Sequence, residues 1–213
     1  DTIASALIAN GIHLVGRSFK YHRPRGFFGA GVEEPNAKLQ VEFNGHSEPN
    51  VNATEMELVE GLSATSQNCW PSVNFDIGAI NNFLKMFFPA GFYYKTFMWP
   101  KSFWYKIYEP FIRKAAGLGV ASIEKDKERY EHKFEYCDLL VTGSGPSGLA
   151  SAYAAAKNGA KVILAEDKPR FGGTLLTDDV SIDNLSGKDW AEKIISELKS
   201  MPNVTVKNRS QVF

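Results

Sequence analysis

A mixed class is expected for this chain: an α+β part on the N-terminal side, joined to a parallel α/β part on the C-terminal side. Three observations point there. An apolar strand, Asp138-Leu139-Leu140-Val141-Thr142, runs straight into Gly143-Ser144-Gly145-Pro146-Ser147-Gly148, with a helix-forming segment after it. A second apolar strand, Val162-Ile163-Leu164-Ala165, ends in the acidic Glu166. Nearer the start, Leu39 to Phe43 alternates like a half-buried strand and meets the turn pair Asn44-Gly45. Strand, G-x-G-x-x-G, helix, strand and acid in that order are the fingerprint of a Rossmann-type dinucleotide-binding unit. The third observation is a hairpin signal.

The elements follow in order. Asp1 or Thr2 caps a helix that runs to Ala9 and is closed by Gly11. The hairpin strand at Leu39 to Phe43 is followed by a second strand from about Val51 to Leu58. From Trp70 to about Gly119 the texture changes. Phe83, Phe87, Phe88, Phe92, Tyr93, Tyr94, Phe97, Trp99, Phe103, Trp104, Tyr105, Tyr108 and Phe111 crowd one stretch, and Pro89, Pro100 and Pro110 break it into short pieces. Such density calls for a covered surface, either a local core or a subunit interface. The mixed charges from Glu124 to Glu135 read as a solvated helix or linker that marks a domain boundary. The helix after the glycine turn spans about Ser147 to Asn158, with Gly159 closing it. Lys188 to Ser200 is amphipathic, with Trp190, Ile194, Ile195 and Leu198 on one face, and Val204 to Val206 is the next strand. The division expected is therefore 1–65, an aromatic-rich helical connector at 66–136, and 137–213 as the first part of the dinucleotide unit. The absence of an initiator Met and the small number of strands suggest a chain cut from a longer one.

Each residue of the fingerprint has a physical task. Gly143 permits the tight turn off the strand, Gly145 has no Cβ to block a pyrophosphate, and Gly148 lets the helix lie close to the sheet. Pro146 and Ser147 open the helix, whose free N–H groups and positive dipole end suit phosphates. Glu166 would accept from the adenosine ribose hydroxyls and repel a 2′-phosphate, which favours NAD over NADP; Lys168 and Arg170 weaken that preference without reversing it. The continuation to Gly172-Gly173-Thr174 is similar to flavoproteins with two dinucleotide-binding domains, which leaves FAD as a competitor at the same site.

Composition excludes several classes. The formal net charge is zero, so nothing argues for a nucleic-acid partner. No run of eighteen apolar residues offers a membrane span, and the start lacks a basic segment followed by an apolar core, as a secretory signal would have. The two cysteines, Cys69 and Cys137, are too few for a disulfide framework or a metal site, which fits a reducing cytoplasm. Neither is expected to be redox-active, and Cys137 reads as a buried small residue. Lys20, His22, Arg23 and Arg25 with Tyr21 form a basic cluster. It reads as an anion or partner contact or, in preference, as a loop pinned by its own hydrogen bonds and by acids such as Glu33 and Glu34, with no partner evident that would make His22 a base.

Several segments together carry a family resemblance: Gly16-Arg17-Ser18-Phe19-Lys20-Tyr21-His22-Arg23-Pro24-Arg25-Gly26, Glu34-Pro35-Asn36-Ala37, Ala64 to Ser72, and Gly91 to Pro100. They resemble the N-terminal part of the alpha subunit of heterotetrameric sarcosine oxidases. The resemblance implies a ferredoxin-like (β-grasp) domain at 1–65, then an NAD-binding domain. It also implies a complex with beta, gamma and delta subunits that oxidises sarcosine with oxygen to glycine and hydrogen peroxide. The methyl carbon leaves as formaldehyde or passes to tetrahydrofolate. FAD lies on the beta subunit, FMN between alpha and beta, and the folate region beyond Phe213, so this piece alone is not expected to be active. The family's NAD contacts carry over to Gly143, Gly145, Pro146, Ser147, Gly148, Glu166, Asp167, Lys168 and Thr174, and loosely to the Val212 backbone. Relatives with an iron–sulfur cluster carry cysteines in the loop after the R-P-R-G-like segment. Here Phe27 to Asn36 has none, so a cluster-free domain is expected. The related alternatives are a subunit of an opine or other amine oxidase or dehydrogenase, and a nucleotide-binding subunit whose NAD never reacts.

Overall fold

The computed structural model describes residues 1–88, 91, 97–125 and 129–213. They form two compact units, Asp1–Glu128 and Arg129–Phe213.

In the first unit, α1 (Ile3–Ala9) starts at Thr2, whose hydroxyl accepts from the Ser5 N–H while the Ser5 hydroxyl accepts from Thr2 N–H. This reciprocal box satisfies donors that a helix start leaves open. Two short strands, β1 (Gly16–Arg17) and β2 (Pro24–Arg25), pair antiparallel. A three-stranded antiparallel sheet follows, with β3 (Lys38–Phe43) between β4 (His46–Asn52) and β5 (Ser63–Ser66). The core between helix and sheet comprises Ile3, Ala4, Val15, Ala37, Leu39, Val41 and Ala53.

The hairpin turn is where the sequence puts it, with both Asn44 and Gly45 at positive φ. Its second strand is not. β4 begins directly after the turn at His46, rather than near Val51, because a two-residue turn forces pairing at once (Phe43 opposite His46). The register then shifts between Leu39 and Val41, so Pro49 and a left-handed Asn50 stand at a bulge in an edge strand. This is a place where proline is tolerated, although Pro49 and the polar residues around it hide the strand from pattern reading.

After β5 come α2 (Ile80–Phe83) and single turns at Ile77–Ala79, Lys85–Phe87 and Lys101–Phe103. A wide π turn, Trp104–Tyr108, feeds α3 (Glu109–Ala116). Pro110 therefore opens a helix instead of breaking one, since its missing N–H is spent in the first turn. Gly117 and Gly119, both at positive φ, bring the chain against the sheet. Side chains of Gln40, Asn50 and Gln67 bind the backbone of Val120, Leu118 and Gly117 there. The aromatic rings do not make a local core among the described residues: Phe83, Trp99 and Tyr105 are each more than 80% exposed. A small cluster does form at Tyr108, whose ring meets Phe97 and Phe103 and whose hydroxyl donates to the Trp99 carbonyl. Pro89, Phe92, Tyr93 and Tyr94 lie outside the described residues, as do Asp126, Lys127 and Glu128 of the charged run. The described remainder of that run has no helix.

The second unit is a parallel sheet, with β7 (Val162–Ala165) between β6 (Leu139–Thr142) and β10 (Val204–Lys207). The order β10-β7-β6 corresponds to one half of a Rossmann sheet. Parallel neighbours need crossovers. The first is α4 (Pro146–Lys157), and the second is α5 (Gly187–Ser200), preceded by a small ribbon of β8 (Ser181–Ile182) and β9 (Leu185–Ser186). At the end of α4 the Gly159 N–H donates to Ala156 and the Ala160 N–H to Ala155, a Schellman cap with Gly159 at φ 86°. The face of α5 read from the sequence is the buried one: Trp190, Ile194, Ile195 and Leu198 join Leu149, Ala152, Val162 and Leu164 in one core. Cys137, just before β6, is half-buried rather than buried.

A Cβ at Gly148 would collide with the Gly143 carbonyl oxygen and press on Val141 Cγ1. Gly148→Ala should therefore destabilise the second unit by at least about 2 kcal/mol, read as faster amide hydrogen exchange across α4 and β6.

Candidate functional site

The site grows out of the end of β6. Gly143 turns the chain at φ 89°, a conformation other residues rarely adopt. Gly145 is the N-cap of α4, in an extended conformation open to any residue, with Pro146 in the first turn and no side chain capping the helix. A Cβ on Gly145 would meet nothing within 4 Å, so the face above the helix start is open. Gly148 supplies the close helix–sheet approach. The three glycines thus give a tight turn, an open face at the helix start and a close helix–sheet approach.

Glu166 follows β7 and is 6% exposed. Its carboxylate is fastened to the glycine turn: Oε2 accepts from the Ser144 N–H at 2.7 Å and from the Ser144 hydroxyl, while Oε1 accepts from the Lys168 N–H at 3.1 Å. Burial opposes its ionisation, but hydrogen bonds from the Ser144 hydroxyl and the Lys168 backbone outweigh this and hold its pKa below the ordinary value. Ser144, fully buried, also accepts from the Gly172 N–H at 3.1 Å. The Gly172-Gly173 pair thereby lies on the turn, where a Cβ at Gly173 would come 3.0 Å from Gly145 Cα. Ser144 joins three segments, and the sequence pattern assigned it no role. The signal was a hydroxyl between two glycines, with an acid at the end of the next strand.

The other candidates divide. Pro146 and Ser147 are exposed at the helix start, and Thr174 is exposed in the single turn Gly173–Leu176, one residue past the contact with Gly145. Asp167 is exposed and pairs with Lys168 at 3.5 Å. The chain after β10 runs beside this loop, with Arg209 N–H donating to the Lys168 carbonyl and Ser210 N–H to the Glu166 carbonyl. Val212 is two residues beyond that contact and about half exposed.

In the first unit, the basic cluster is pinned by its own bonds. Arg23 Nε donates to Asn82, and its guanidinium lies 4.9 Å from the centre of the Tyr21 ring. The acid that holds the loop is Asp76 rather than Glu33 or Glu34: His22 Nδ1 lies 2.6 Å from Asp76 Oδ2, and Asp76 also accepts from Trp70 and Gly78 N–H. Arg17 adds donors to the carbonyls of Val73 and His22. His22 has an acid partner after all, in a buried cross-link between two loops. Burial and the Asp76 carboxylate raise the Cys69 thiol pKa, with Arg17 opposing, so Cys69 is a poor nucleophile. No metal-binding group of three His, Cys, Asp or Glu occurs among the described residues, and no described helix is long and apolar enough to cross a membrane.

Fold and turn define a class: residues 138–202 match the FAD dependent oxidoreductase family, and residues 1–69 match the 2Fe-2S iron-sulfur cluster binding domain family. The particular relationship follows from whole-chain similarity. The chain is 57% identical over 213 residues to sarcosine oxidase subunit alpha of Rhizobium meliloti (strain 1021), covering 100% of this chain and 22% of that one. It is 31% identical over 217 residues to the same subunit of Corynebacterium sp. (strain U-96), covering 100% of this chain and 18% of that one. The chain is thus related along all of its residues to the alpha subunits of sarcosine oxidase, as its motifs imply, and spans about a fifth of their length. A solved L-proline dehydrogenase from P. horikoshii shares the fold, with TM-score 0.51 and 16% identity over 98% of this chain and 30% of that one. The iron–sulfur group suggested by the first match does not fit the residues present. Four ligands, ordinarily thiolates, are needed, and the first unit has one cysteine.

Ser144→Ala removes two buried hydrogen bonds, leaving the Gly172 N–H without its acceptor. It should cost about 2–3 kcal/mol, read by denaturant unfolding of the second unit. Because the folded Glu166 pKa is depressed, its contribution is fully present above about pH 4.5 and is lost as pH falls through the folded value. Amide protection at Ser144 and Lys168 should decline over that acid range and hold steady from pH 5 to 7.

Proposed function

We propose that residues 137–213 bind the ADP half of NAD, within the alpha subunit of a sarcosine-oxidase-type complex. The observation that carries this reading is the open face at Gly145, above an uncapped helix start, with the acid of the next strand buried beside it. In this reading Gly143, Gly145, Pro146, Ser147 and Gly148 cradle the diphosphate. Glu166 and Asp167 take the ribose, Lys168 lies at its edge, Thr174 donates to diphosphate or ribose, and the Val212 backbone meets adenine. NAD would supply a nicotinamide able to exchange hydride; the chain's own residues bind and orient it.

The wider reading is that the complex oxidises sarcosine with oxygen, giving glycine, hydrogen peroxide, and formaldehyde or methylene-tetrahydrofolate. FAD, FMN and folate lie elsewhere in the complex, and beta, gamma and delta subunits are the partners. Whole-chain similarity to sarcosine oxidase alpha subunits supports it. The exposed rings of Phe83, Trp99 and Tyr105 also suit a surface covered in an assembly. Residues 1–65 serve as a cluster-free scaffold and 66–136 as its aromatic connector, in a cytoplasmic enzyme.

A second reading, FAD in the same site, is favoured by the FAD dependent oxidoreductase match at 138–202. The two share an ADP half, so the glycine turn does not distinguish them. Mass spectrometry of nucleotides released from the isolated full-length alpha chain does: NAD supports the first reading, and FAD without NAD replaces it.

Glu166→Ala should weaken NAD binding by about 1–3 kcal/mol, but it also loosens the turn through Ser144. Gly145→Val is the cleaner test. A Cβ there meets nothing within 4 Å and the backbone is extended, so unfolding stability should stay within about 1 kcal/mol. Calorimetric titration should show the dissociation constant rising more than about tenfold, ~1.4 kcal/mol.

A further inference from the structure

The loop that follows the Arg23-Pro24-Arg25 segment folds around a carboxylate. Glu34 is 1% exposed, among the most buried side chains of the chain. Its Oε2 accepts from the backbone N–H groups of Phe28 at 2.6 Å and Gly29 at 2.7 Å, and its Oε1 from those of Asn36 at 2.6 Å and Ala37 at 3.2 Å. Two donors come from the chain before Glu34 and two from the chain after it, so a single side chain closes the loop upon itself. The Gly31 carbonyl is tied outward to the Thr54 hydroxyl at 2.6 Å, and the Ala37 carbonyl accepts from the Ala53 N–H at 2.9 Å, which fixes the loop to the core.

Burying a charge is costly unless it is compensated. Here the compensation comes from backbone dipoles: burial works to raise the Glu34 pKa, and the four N–H groups outweigh it and hold it low. Converging N–H groups of this kind form a concave anion site, the same arrangement that serves phosphates and iron–sulfur centres. A [2Fe–2S] centre held by four thiolates is an anion whose sulfurs accept such bonds. The segment lies within the stretch that matches a 2Fe-2S cluster binding family, yet residues 1–68 contain no cysteine.

We propose that the Glu34 carboxylate is a built-in anion that orders this loop in the role a cluster has in cluster-binding domains. The loop's converging donors bind a charge that belongs to the chain itself. Removing it leaves four donors turned inward with nothing to bind, while an external carboxylate of similar size fits the vacated space. The proposal rests on the cluster-free reading of this domain.

The test uses the purified full-length protein. Iron and acid-labile sulfide analysis addresses the cluster-free reading alone: two irons per chain would overturn it. Hydrogen–deuterium exchange of the peptide covering 27–37 addresses the proposal. In Glu34→Ala and Glu34→Gln, exchange in this peptide should accelerate at least tenfold, while peptides covering α1 and β3 change less. Sodium formate should restore protection in Glu34→Ala, whereas sodium chloride at equal ionic strength restores less. Unchanged exchange in both variants would overturn the proposal. So would acceleration in Glu34→Ala that formate leaves untouched, since the side chain would then act by its bulk rather than its charge.

Discussion

The candidate site depends on one buried contact, the carboxylate of Glu166 held by the backbone and hydroxyl of Ser144. A glycine-rich turn has little side-chain packing to define it, and glycine loses more backbone entropy on ordering than other residues. Something must hold such a turn in one conformation before a ligand arrives. Here the acid at the end of the neighbouring strand does so, and the same hydroxyl receives the Gly172 N–H. The glycine turn, the acid after the next strand and the following glycine pair are thus one hydrogen-bonded unit. An acid free to move loses entropy when it binds a ligand; an acid already fixed loses less.

The first unit uses the same solution with different parts. Glu34 gathers four N–H groups, and Asp76 gathers His22 together with two more N–H groups. Both are buried carboxylates that organise irregular chain, where neither a helix nor a sheet ladder can satisfy the backbone. The apolar core under α1 is small, dominated by alanine and valine. In a domain of this size, polar cross-links of this kind supply definition that the core alone supplies poorly.

How much of this was legible beforehand followed the range of the interactions. The second unit was read nearly to the residue, from β6 through Gly159 to the buried stripe of α5, because period, glycine spacing and caps are local signals. In the first unit α1, its cap and the Asn44-Gly45 turn were equally legible. The strand after that turn was displaced because Pro49 and its polar neighbours mask an edge strand whose register a bulge resets. Pro110 looked like a breaker, since the wide turn before it leaves no trace in composition. The role of Ser144, the true partners of Glu34 and the His22–Asp76 pair escaped notice for a different reason. Each joins residues between 2 and 54 positions apart through the chain's irregular path, and nothing in residue type alone says which acid meets which donor.

The bulge in β4 also bears on how the chain behaves among its copies. This strand lies at the rim of its sheet, where a flat row of backbone groups would invite a foreign strand to dock. Pro49 offers no N–H, and Asn50 beside it turns left-handed, so that row is broken at its middle. The irregularity that concealed the strand from pattern reading also discourages runaway sheet extension and the fibrous deposits it leads to.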